Sequence, residues 1–115
     1  MQQINHWPDM ADPTLPEVVF QDLQQQLLLP FDSEGEAKDF WNETSTTLII
    51  LDPTDNTEDL IQSDTWNQID FALTYQEYSV SLSMGYTLSV TITNDSGGCI
   101  FLVIPPELSH IISEV

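Results

Sequence analysis

The strongest constraint on the fold lies in the last third of the chain. Between Tyr78 and Pro106 the only charged residue is Asp95. Within that stretch Tyr78, Val80, Leu82 and Met84 alternate with serines, and Gly85 breaks the run. Tyr86, Leu88, Val90 and Ile92 then alternate with Thr87, Ser89, Thr91 and Thr93. Period-two patterning of this kind specifies β-strands. Asn94 to Gly98 supplies a turn with glycines for positive φ, and Cys99 to Ile104 returns as a wholly apolar strand ended by Pro105-Pro106. An earlier run, Thr46 to Leu51, is β-branched and apolar without alternation, the pattern of a strand covered on both faces.

Helical signals occupy most of the remainder. Thr14 reads as an N-cap, with Pro16 in the first turn and Glu17 closing a capping box. Val19, Leu23 and Leu27, joined by Val18, Phe20 and Leu28, form one apolar face, while Asp22 and Gln24 to Gln26 point outward and Pro30 stops the helix. Ser33 and Glu36 open a second helix that turns Ala37, Phe40 and Trp41 inward. Thr57 is placed to cap a helical turn within residues 55–62.

Residues 64–75 fit a helix through Trp66, Ile69 and Leu73, or a strand through Ile69, Phe71, Leu73 and Tyr75. The helix is favoured, with Asp64 as its cap. Pro106 begins a short C-terminal helix bearing Leu108, Ile111 and Ile112. Residues 1–13 read as an irregular arm, ordered only if Trp7 docks.

These readings give one α+β domain over residues 14–115. Its N-terminal helices pack on a three- or four-stranded, mostly antiparallel sheet, the long helix covering one face.

Charge narrows the function. The 115 residues hold 19 acids and one base, Lys38, for a formal charge of −18. An average domain of this length would carry about 14 of each sign, so the anomaly is the loss of bases. That loss excludes gripping nucleic acid or an anionic membrane by phosphate neutralisation. No apolar run reaches a membrane-spanning length and no secretory signal is visible. The single Cys99 cannot form an internal disulfide. The expectation is a cytoplasmic chain.

Catalytic signals are absent. Cys99 with His6 or His110 is the only nucleophile-and-base pairing, and a thiol opening an apolar strand of an acidic protein has its pKa pushed the wrong way. The segment Asp52 to Asp59 lacks the glycine and terminal glutamate of a calcium loop. No glycine-rich phosphate cradle or nucleophile elbow is present. The expectation is a protein without enzymatic activity, cofactor or metal.

The acids themselves are uneven: 13 lie in residues 1–59 and six in residues 60–115. Glu36, Asp39 and Glu43 form a one-sided stripe on the second helix, with Glu34 beside it, and Asp52, Asp55, Glu58 and Asp59 form a second cluster. Like charges at helical spacing cost about 0.2–0.5 kcal/mol per pair. These eight residues are the expected binding surface for a basic protein partner.

Eighteen charges match roughly 9 base pairs of duplex, or ~30 Å of axis. A globule of this length is about 35 Å across, so a short DNA mimic fits. In size and charge the chain is similar to anti-restriction and other anti-defence proteins of phages and plasmids, and to bacteriocin immunity proteins. The similarity is one of composition, with no motif matched. Two other readings compete: a salt-adapted domain of unrelated function, and a small ligand-binding or enzymatic domain whose site is invisible in sequence.

Because the C-terminal strands carry no charge, any open edge among them invites strand pairing. Either a helix or the N-terminal arm covers that edge, or two copies pair through the sheet as a homodimer.

Overall fold

A computed structural model describes residues 2–7, 17–26, 31–92 and 98–113. In chain order the elements are β1 (Gln2–Ile4), α1 (Glu17–Gln26), α2 (Glu34–Glu43), β2 (Thr46–Ile50), α3 (Thr57–Gln62), α4 (Trp66–Thr74), β3 (Tyr78–Ser81), β4 (Thr87–Ile92), β5 (Cys99–Ile104) and α5 (His110–Ser113). The strands form one sheet in the order β1-β2-β5-β4-β3. β1 pairs antiparallel with β2, β2 runs parallel to β5, and β5-β4-β3 is an antiparallel meander.

The α+β class and the three C-terminal strands agree with the sequence reading, but the sheet is larger and more mixed. The supposed irregular arm contributes the fifth strand: Gln2, Gln3 and Ile4 pair with Ile50, Ile49 and Leu48. Backbone hydrogen bonding needs no side-chain signature, so three residues of unremarkable composition can close an edge.

The lack of alternation in Thr46–Leu51 has the cause inferred for it. Leu48 and Ile50 enter one core, with Leu88, Val90, Phe101 and Val103. Ile49 and Leu51 enter a second, with Leu102 and Ile104. Leu23 of α1 and Trp41 of α2 close the first core. Leu60 of α3, Ile69 and Leu73 of α4, Leu108, and Ile111 of α5 close the second. Helices therefore cover both faces, where the sequence reading put the long helix on one. A parallel pair at the centre of a sheet requires such two-sided cover.

Several local assignments change. Residues 66–74 are helical, as favoured, but the N-cap is Thr65 rather than Asp64 and makes no side-chain bond. Asn56 caps α3 in place of Thr57, its Oδ1 accepting from Glu58 N–H at 2.9 Å. The strand expected to reach Met84 ends at Ser81, and a tight turn follows in which Met84 (φ 58°) and Gly85 (φ 85°) both lie in the left-handed region. Positive φ at both central residues is the type I′ pattern, closed here by Tyr86 N–H donating to Ser83 O.

Asp22, expected to face out, is buried. The expected Thr14 cap, the Pro30 stop, the turn at residues 94–97, and the side chains of Val18, Val19, Phe20, Leu27, Leu28 and Ile112 lie outside the described residues. No helix among the described residues is long and apolar enough to cross a membrane.

Candidate functional site

α2 forms as its sequence dictates. Ser33 Oγ accepts from Glu36 N–H at 3.2 Å, and Glu36 reaches back so that its Oε2 accepts from Asp32 N–H at 3.4 Å. At the other end Thr44 N–H and the Thr44 hydroxyl both donate to Phe40 O. The buried side of the helix is Ala37 and Trp41, and Trp41 stacks on Phe101 with ring centroids 5.2 Å apart. Trp7 from the N-terminal segment meets Trp41 edge-on at 5.7 Å, so that segment does dock. Glu34, Glu36, Asp39 and Glu43 are all exposed.

The second acidic cluster is built differently. Asp52 Oδ1 accepts from Thr54 N–H at 2.9 Å and from the Thr54 hydroxyl at 2.8 Å, while Asp52 N–H donates to Asp55 Oδ2 at 2.8 Å. Those bonds, the Thr54 amide first and its hydroxyl second, hold the Asp52 carboxyl below its ordinary range. Glu58 and Asp59 occupy the first turn of α3, where negative charge favours the helix dipole. Each acid of this cluster thus has a local structural use.

The two clusters are not brought together. α2 packs through Trp41 on one face of the sheet and α3 through Leu60 on the other. Of the eight acids expected to act as one surface, the four on α2 lie in one layer and Glu58 and Asp59 of α3 in the other, with Asp52 and Asp55 in the loop that leads to α3.

On α2, Glu34 and Glu36 lie in the first turn, where negative charge favours the dipole, but Asp39 and Glu43 lie beyond it and accept no hydrogen bond among the described residues. Lys38 is exposed and makes no ion pair among them. Glu43 lies in the last helical turn, where a carboxylate opposes the dipole and no base offsets it.

Beside this stripe is an open concavity of about 640 Å³, lined by Phe31, Ser33, Gly35, Glu36, Asp39, Phe40 and Glu43. Phe31 and Phe40 pack against each other at 5.2 Å with planes tilted 47°. Both are only partly buried. Sequence reading placed Phe40 in the core and gave Phe31 no role. Phe31, two residues before the Ser33 cap, carried no sequence signal, since the staple position before that cap is Asp32.

Cys99 is buried, with its thiol pushed up to about 12 by burial first and the Glu77 charge second. It stays protonated at neutral pH and is no nucleophile. Among the described residues no group of three or more His, Cys, Asp or Glu is arranged to hold a metal ion. Comparison with protein-family models, curated proteins and solved structures found no match.

Proposed function

We propose that the protein binds a basic protein partner through the exposed face of α2 and thereby inhibits it, as a nucleic-acid mimic or an immunity-type protein. One observation carries this reading: Asp39 and Glu43 stand exposed four residues apart on one helix, beyond its first turn, with no capping use and no ion pair among the described residues, in a chain with a single base. Uncompensated like charges destabilise the free helix, and a cationic partner relieves that cost.

The cluster at Asp52 to Asp59 is secondary in this reading, because its charges already serve the turn and the start of α3. Along α2 the stripe Glu36, Asp39, Glu43 places a charge every ~5 Å of helix axis, sparser than the ~3.4 Å per phosphate of one DNA strand. The mimicry is therefore one of field and size, matching a molecule whose principal extents are 38 × 33 × 21 Å.

The test is capture of basic proteins from the native host at low salt and again at about 0.5 M, where exposed charges are screened. Asp39→Asn with Glu43→Gln should abolish salt-sensitive capture, whereas Glu58→Gln with Asp59→Asn should leave most of it. Equal loss from both pairs would transfer the function to overall charge and remove α2 from it.

A further inference from the structure

The concavity on α2 has two kinds of lining that a bare acidic surface lacks together. Its lining includes two partly buried phenyl rings in mutual contact, Phe31 and Phe40, and three carboxylates, Glu36, Asp39 and Glu43. Partly exposed aromatic rings offer a negative π-face to a cation, and the effect strengthens as water is excluded. The carboxylates add a field of the same sign. The residues do not form a metal-binding group, so a compact bare ion is not the occupant the site fits. Lys38, the chain's only base, is not among the lining residues, so no base of this chain lines the concavity.

Resting on the reading of α2 as the partner-binding face, we propose that the concavity between Phe31, Phe40, Asp39 and Glu43 receives an arginine side chain of the basic partner. Arginine rather than lysine follows from hydration and shape. The guanidinium is planar and weakly hydrated, so it can lie on a phenyl ring while its edge donates to a carboxylate. An ammonium is a strongly hydrated point charge that gains little from a ring it must dehydrate to reach. The Phe31–Phe40 pair therefore converts a charge-attracting surface into one that distinguishes between two cations of equal charge.

The experiment titrates the isotopically labelled full-length chain, followed by NMR at low salt, with three glycine-spaced octapeptides. One carries four arginines, one four lysines and one four citrullines. The expected result is that the arginine peptide binds about threefold or more tighter than the lysine peptide. It should shift the ring resonances of Phe31 and Phe40, and citrulline should not bind. Asp39→Asn with Glu43→Gln, both at exposed positions, should weaken binding of both cationic peptides while leaving the melting temperature near that of the parent.

Equal affinity for arginine and lysine, or binding that moves α2 amides but leaves both phenyl rings unshifted, overturns the arginine site while the acidic face stands. Binding of neither cationic peptide overturns both.

Discussion

Asp22 on α1 and Ser83 in the β3–β4 turn, 61 residues apart, are joined by two hydrogen bonds to one oxygen. Ser83 N–H donates to Asp22 Oδ2 at 3.1 Å and the Ser83 hydroxyl donates to it at 2.6 Å. A carboxylate this buried requires such donors, and these two fasten the helix to the hairpin tip. Asp22→Ala should destabilise the fold by about 1–3 kcal/mol in urea titration, and Ser83→Ala by less, because the backbone donor survives. Equal, negligible losses would show that the link contributes no stability.

The same turn holds a side chain in a conformation that suits it poorly. Met84 has φ 58° and is 77% exposed, so its backbone strain is offset by little packing. Met84→Asn should raise stability by about 0.5–1 kcal/mol, since Asn tolerates the left-handed region. Gly85→Ala should lower it by about 1–2 kcal/mol, because φ is 85° and the new Cβ would sit 3.2 Å from Pro106 Cβ. Thermal melts of the two variants should therefore shift in opposite directions.

Two hydroxyls of β4 lie under α4 with opposite standing. Thr91 Oγ1 donates to Ala72 O at 3.0 Å, whereas Ser89 Oγ is buried with no hydrogen-bond partner among the described residues. Ser89→Ala should stabilise by about 1 kcal/mol and Thr91→Val should cost about the same. Denaturant midpoints of the pair check both signs at once.

The buried thiol sets an alkaline limit. Cys99 ionises near 9 when unfolded and is pushed up to about 12 in the fold, so its share of stability is full below about pH 9 and is lost as pH rises toward 12. The stability difference between wild type and Cys99→Ala should narrow over that window. At pH 8 the native thiol should resist a disulfide reagent that labels it fully in urea. Rapid native labelling would contradict the burial.

The legible parts of the sequence were those that patterning controls. The apolar run Thr46 to Leu51 announced its two-sided burial, and Leu48, Ile50, Leu88, Val90, Phe101 and Val103 were readable as core because they recur every second residue on one face. The second core was not foreseen as a unit. Ile49, Leu102 and Ile104 belong to it by the other parity of the same strands, and its helical partners Leu60 and Ile69 sit in short elements with ambiguous periods.

β1 left no signal, since a strand of Gln2, Gln3 and Ile4 is defined only by the partner it meets. Asp22 misled because a charged residue among glutamines reads as solvent-facing until its distant donor is known. The acidic stripe on α2 was visible as spacing, but its separation from Asp52 to Asp59 depends on which face each helix covers, and tertiary packing decides that.

Self-association through the sheet has less room than the charge-free strands suggested. β4 and β5 are interior, and the open edge among the C-terminal strands is β3, four residues long. A short edge is itself a guard against pairing.

The strand order also has a consequence for synthesis on the ribosome. β5 is the last strand to be made and the central one in the sheet, flanked by β2 and β4. Until Ile104 has cleared the exit tunnel, β2 has no neighbour on that side and the meander is only a two-stranded hairpin. Such a hairpin is marginal in water. The nascent chain therefore carries the apolar run Thr46 to Leu51 without its β5 neighbour while residues 52–104 are made, with only the three residues of β1 to pair with it.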